Sequence, residues 1–141
     1  MNKTPLFFIL VLFSYSLSAQ SIIGNWKTVD DVTNQDKSIV EIYQIDNKIY
    51  AKITKLLTPG DEHKICDQCE GENKNKPIEG MQIIDGLTEN GKEWNGGKIL
   101  DPKTGKTYKC YLTLIEANKL KVRGYIGFSL IGRTQYWSRI E

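Results

Sequence analysis

The chain has 141 residues, with 19 Lys and Arg against 17 Asp and Glu and a formal net charge of +2. That length fits one domain, and that charge balance gives no case for a nucleic-acid or anionic-membrane partner. The three cysteines are an odd number, so at least one thiol stays unpaired within a monomer.

In chain order, the first stretch has the layout of an export signal. Lys3 supplies a positive start, Leu6 to Phe13 is an unbroken apolar run, and Ser14 to Ala19 is small and weakly polar. The run is far shorter than the roughly 20 residues that span a bilayer as a helix. The other reading, a buried N-terminal helix, fits poorly with the polar, turn-rich sequence that follows. Residues 1–19 are therefore expected to be a signal peptide, and residues 20–141 an exported β-barrel-like domain, periplasmic or secreted. No second long apolar run follows, so no transmembrane segment is expected in the processed chain.

From Ile22 onward, apolar and polar residues alternate with period two. Ile22 to Thr28 is a short first strand, and Asp30 to Asp36 has turn chemistry. Ser38 to Ile45 is rich in β-branched and aromatic residues. Asp46-Asn47 is a two-residue hairpin connection. In Lys48 to Leu56, Ile49, Ala51 and Ile53 share one face, as expected of a strand with one buried side. Thr58 to Pro77 is irregular and holds Cys66 and Cys69. Structureless connections longer than about 12–15 residues are usually functional or stapled. Strands resume at Met81 to Ile84, then at Trp94 to Leu100, where Gly96-Gly97 predicts a bulge, a bend or a close approach. Asp101 to Gly105 is a turn. Tyr108, Cys110, Leu112 and Leu114 form one inward set, and Leu120, Val122, Gly124, Ile126 and Phe128 a second. Arg133 to Ile140 is the last strand. About eight short strands with no convincing helix predict an all-β, single-domain antiparallel meander, curled into a closed or partly open lipocalin-like barrel.

Several groups carry chemistry or its structural alternative. Gly24-Asn25-Trp26 resembles the Gly-x-Trp signature of lipocalin-like barrels, whose Trp plugs the closed end under a basic residue from the last strand. Arg139 or Arg133 is the candidate cover, by cation–π stacking. Cys66-Asp67-Gln68-Cys69 reads first as a local disulfide pinning its loop, which export permits. A metal site is the alternative: His63, Cys66 and Cys69 offer three soft ligands, Cys110 a fourth, and zinc is the cofactor such a set would hold. A redox pair is a third reading, but it needs a lowered thiol pKa and no helix follows Cys69. His63, the only histidine, more simply sits in solvent. No P-loop, dinucleotide fingerprint or nucleophile elbow is present, so no catalytic residue is assigned. Trp94, Arg123, Tyr125, Arg133 and Trp137 are the candidate ligand-contacting residues, because cationic forks beside aromatic rings suit a carboxylate- or sugar-bearing ligand. The structural alternative is an aromatic-covered barrel wall.

Further runs carry a family resemblance: Ile23 to Trp26, Glu41 to Tyr43, Cys66 to Cys69, Gly80-Met81, Trp94 to Pro102, Gly105 to Tyr108, Leu120 to Gly127, Gly132-Arg133 and Trp137. Across nearly all of the expected mature chain, these resemble the bacterial exported family called domain of unknown function 2147. The resemblance implies a signal peptide, one compact β domain and an extracytoplasmic location, and it attaches no reaction or ligand. Three functional expectations follow. The first is a small hydrophobic or carboxylate-bearing ligand held in the barrel mouth, with no cofactor. The second is a metal- or thiol-dependent protein built on His63, Cys66 and Cys69. The third is a non-enzymatic envelope interaction protein that uses the Thr58–Pro77 loop.

Overall fold

The computed structural model describes residues 20–141. The expected signal segment, residues 1–19, lies outside them. Eight strands follow one another: β1 (Gly24–Val29), β2 (Asp36–Ile45), β3 (Lys48–Leu56), β4 (Gln82–Asn90), β5 (Glu93–Asp101), β6 (Lys106–Glu116), β7 (Lys119–Tyr125) and β8 (Gly132–Ile140). Each pairs antiparallel with its sequence neighbour, and β8 returns to β1 to close the barrel. Closure removes both sheet edges, which is how a meander of this size avoids unpaired backbone.

The period-two alternation explains the interior. Val40 and Ile42 from β2, Ala51 and Ile53 from β3, Leu112 from β6 and Leu120 and Val122 from β7 are buried together with Trp26 and Trp137. Polar partners at alternate positions face outward. The Asp46-Asn47 hairpin forms as expected, with Asp46 at φ 55°. The Gly96-Gly97 expectation resolves into two separate jobs. Gly96 takes φ 82° where the β5–β6 register shifts, and a Cβ on Gly97 would overlap the Asp85 carbonyl of β4.

Two elements differ from the expectation. β4 runs to Asn90 rather than stopping at Ile84. Its second half reads poorly because Gly86, at φ 74°, puts a bulge into the alternation. Conversely, β7 ends at Tyr125, and Ile126 and Phe128 are exposed rather than inward. Their alternation continues in the sequence after the pairing has stopped, because Gly127 at φ 69° turns the chain away.

The connections alternate between the two ends of the barrel. The β2–β3, β4–β5 and β6–β7 turns lie at one end with the start of β1. The β1–β2, β3–β4, β5–β6 and β7–β8 connections gather at the other. The long β3–β4 connection contains one 3-10 turn (Gly71–Asn73) and an isolated bridge between Ile65 and Pro77.

Candidate functional site

The two ends of the barrel are built differently. At the first, Trp26 is fully buried and its indole N–H donates to the Ile22 carbonyl at 2.9 Å. Arg139 lies opposite Trp26 across the β1–β8 seam, with its guanidinium 4.3 Å from the ring centroid. The same guanidinium donates to the carbonyls of Ala117 (2.8 Å), Ile23 (3.0 Å) and Ser21 (2.5 Å). Gly24 adopts φ 134°, and a Cβ there would sit 3.1 Å from Arg139 Nη1. This end is a plug: a large ring under a cation whose donors are spent on main-chain oxygens. Arg139, not Arg133, provides the cover.

The other end opens into a cavity of about 750 Å³. Its wall is apolar, with Val40, Ile53, Ile83, Ile99, Val122 and Trp137 facing in. Polar groups enter near the mouth. Thr28 and Ser38 are register partners on β1 and β2, and their hydroxyls meet at 2.6 Å although both residues are buried. Tyr108 faces the same space. From β8, inward positions spaced two apart form a relay. The Trp137 indole N–H donates to Gln135 Oε1 at 3.1 Å, and Gln135 Nε2 donates to both carboxylate oxygens of Asp31 at 3.0 Å. Arg133 Nε meets the same carboxylate at 3.0 Å. Asp31 belongs to the β1–β2 connection, so this relay pins that loop beside β8. In the same loop, backbone N–H groups of Thr33 and Val32 hold the Asp30 carboxyl below its ordinary value.

The β3–β4 connection forms part of the mouth. Cys66 and Cys69 are joined by a disulfide and buried. The Cys66 sulfur lies 3.2 Å from the Pro102 carbonyl oxygen. A Cβ on Gly105 would overlap the Gln68 carbonyl. The disulfide loop therefore rests directly on the β5–β6 turn. At its far end, the Leu56 N–H donates to Glu79 Oε1 at 3.0 Å. With Cys66 and Cys69 bonded to each other, their sulfurs do not serve as thiolate ligands. His63 is exposed, and Cys110 is buried in the β6 wall. Burial pushes the Cys110 thiol up to about 12. No group of three His, Cys, Asp or Glu side chains suited to a metal occurs among the described residues.

The candidate ligand-contacting residues divide. Tyr125, Arg133 and Trp137 line the cavity. Arg123 points out of the barrel wall, where its guanidinium donates to the Ser129 carbonyl at 2.7 Å and to Thr134 Oγ1 at 2.8 Å. Trp94 lies at the plugged end, beside a smaller depression of about 310 Å³ shared with Gln44 and Glu89. The two differ for separate reasons: Arg123 has outward parity on its strand, whereas Trp94 shares the inner face with its register partner Leu112 but lies at the opposite end of the barrel from the mouth. Sequence reasoning passed over Thr28, Ser38, Asp31 and Gln135. Gln135 was findable from its spacing, two residues from each of Arg133 and Trp137. Asp31 was not, because its contact spans 104 positions.

The comparisons agree with this geometry. A family model described as an uncharacterized protein conserved in bacteria (DUF2147) matches residues 24–139. No curated protein matches the chain. Among solved structures, protein HP1028 from Helicobacter pylori, described as belonging to the lipocalin family, aligns with a TM-score of 0.76 at 20% identity. The alignment covers 87% of this chain and 85% of that one. The likeness is one of fold: a closed eight-stranded antiparallel barrel.

Proposed function

Since the chain belongs to the bacterial family DUF2147, whose description names no reaction or ligand, we propose its function from the barrel: an exported carrier or sensor of a small amphipathic molecule. One observation carries the reading. A cavity of about 750 Å³, within the 300–1,000 Å³ typical of ligand sites, combines an apolar wall with polar groups gathered at one end. An apolar tail against Ile53, Val122 and Trp137 would leave water, and its polar head would meet Thr28, Ser38, Tyr108 and Arg133. Among the described residues, Arg133 engages Asp31 through Nε. Its Nη donors would meet a carboxylate or similar head group. The expected export segment and the Cys66–Cys69 disulfide support an extracytoplasmic setting, where such bonds persist.

The test is organic extraction of the purified protein followed by mass spectrometry, with competition by an environment-sensitive naphthalene dye. A Cβ on Gly124 would meet Ile99 and Tyr108 at ordinary distances of 3.5 and 3.7 Å, so Gly124→Leu fills the mouth from a tolerant position. The expected result is an extractable amphiphile, and dye uptake that Gly124→Leu lowers at least tenfold with an unchanged far-ultraviolet spectrum. Dye excluded from the parent protein and no extractable molecule would refute the reading.

A further inference from the structure

The near-neutral charge of the whole chain conceals a division. Residues 91–141 carry ten Lys and Arg against four Asp and Glu, whereas residues 20–90 carry eight against thirteen. In a meander barrel each half of the sequence becomes a side of the molecule, because every strand lies beside its neighbour in the chain. The outer wall of β6 and β7 is accordingly basic and aromatic. Lys109, Lys119, Lys121 and Arg123 alternate with inward residues. Lys119 sits 4.7 Å over the Tyr136 ring and Lys121 5.5 Å over Tyr111.

At the mouth end of this wall, the β7–β8 loop (residues 126–131) presents Ile126, Phe128, Leu130 and Ile131 to solvent, Phe128 at 75% and Leu130 at 89% exposure. Only Gly127 and Ser129 separate them. Three hydrogen bonds brace the loop backbone from within. Ile126 N–H donates to Ile131 O and Ile131 N–H to Phe128 O, both at 3.0 Å, and Arg123 holds the Ser129 carbonyl. A braced tip that carries four exposed apolar side chains suits the boundary of a lipid layer, where its remaining main-chain groups can still meet water and head groups. Val32, 87% exposed, projects from the β1–β2 loop that Asp31 ties to Arg133, so it stands on the same side of the mouth. Scattered apolar residues on a soluble surface need no explanation, but a cluster of this kind does.

We propose that the β7–β8 loop and the basic wall of β6 and β7 dock the barrel on an anionic lipid surface. The loop tip enters the interface, the lysines and Arg123 face the head groups, and the tyrosines lie at head-group level. Charge complementarity selects an anionic bilayer as the occupant: Lys109 and Arg123 lie next to the apolar tip, Lys121 and Lys119 continue the basic wall away from it, and the acidic excess belongs to residues 20–90. Ile126 and Ile131 also line the cavity, so docking would set the mouth against lipid. The proposal does not require the cavity to hold a ligand.

The test uses the full chain and vesicles of phosphatidylcholine alone or mixed with phosphatidylglycerol. Vesicle flotation is expected to favour the anionic mixture and to weaken in high salt. Phe128→Asp combined with Leu130→Asp should reduce binding roughly tenfold or more at an unchanged Tm. A Lys109→Glu, Lys121→Glu pair should abolish the anionic preference. To separate the loop from any apolar contribution of residues 6–13, Phe128→Trp is read by fluorescence against vesicles containing brominated lipid, with the parent protein as blank. Quenching that appears only with this substitution supports insertion of the loop. Unchanged flotation of the aspartate variant, or no added quenching, would overturn the proposal. So would a loop-dependent dimer on size exclusion without vesicle binding, which would assign the patch to a second copy of the chain.

Discussion

Arg139→Ala tests whether the plug at the Trp26 end holds the barrel closed. The substitution removes three hydrogen bonds to main-chain carbonyls and a cation stacked 4.3 Å from the Trp26 ring. Because the side chain is only half-buried, each hydrogen bond is taken at the low end of its range, about 0.5–1 kcal/mol. The cation–π contact adds about 0.5–1 kcal/mol at such a site. The sum is about 2–4 kcal/mol, and for a domain of this size it corresponds to a Tm lower by about 8–16 °C. The assay is urea and thermal unfolding followed by tryptophan emission and far-ultraviolet dichroism, with the m-value checked for constancy. Arg139→Lys should fall between parent and Ala, because an ammonium keeps the charge but loses the planar fork that reaches three carbonyls in different chain segments. If both variants unfold within about 0.5 kcal/mol of the parent, as ordinary surface changes do, Arg139 is an ornament of the surface and the seam is held by something else.

Gly105→Ala should unseat the disulfide loop from the β5–β6 turn, costing about 1–3 kcal/mol and raising hydrogen exchange in residues 64–69 ahead of the barrel strands. Reducing the Cys66–Cys69 bond should cost about 2 kcal/mol or less, since it closes a very short loop, and denaturant melts with and without reductant measure it. The pH dependence of stability should carry a Cys110 component. Burial raises this thiol in the folded state to about 12 from an ordinary 9.0, so the unfolded chain releases its proton first. Stability from this source is complete below about pH 9 and is lost as pH rises toward 12, by up to about 1.4 kcal/mol per unit. Cys110→Ala should flatten that slope in parallel melts, and native Cys110 should resist thiol reagents until the barrel opens.

The barrel was readable because strand parity is a strong signal. Ile49, Ala51, Ile53, Cys110, Leu112, Leu120 and Val122 all turned inward as their spacing required. The plug was readable from Gly24-x-Trp26 with a basic residue in the last strand, although the choice between Arg133 and Arg139 needed the β1–β8 register. The cavity was only partly readable. Arg133 and Trp137 have the parity of the inner face, while Arg123 has that of the outer face, and treating the stretch as one surface merged two sides of a wall. The Asp31 relay joins segments far apart in the chain, and no local pattern announces such a contact. The loop after β7 was misjudged for a related reason: Ile126 and Phe128 keep the rhythm of a strand, and only the absence of a partner shows that they are outside.

Seven of the eight strand pairings join neighbours along the chain, each a hairpin able to form soon after its turn does. The eighth, between β1 and β8, registers only at Asn25, Trp26 and Lys27 with Ile140, Arg139 and Ser138. Assembly therefore resembles rolling a mat and fastening it with one short clasp: the seven hairpins gain little until the two ends of the sheet meet, and the meeting carries the longest loop-closure cost in the molecule. The fastening is also where thermal breathing should start, so the barrel would part along this line long before its hairpins come undone.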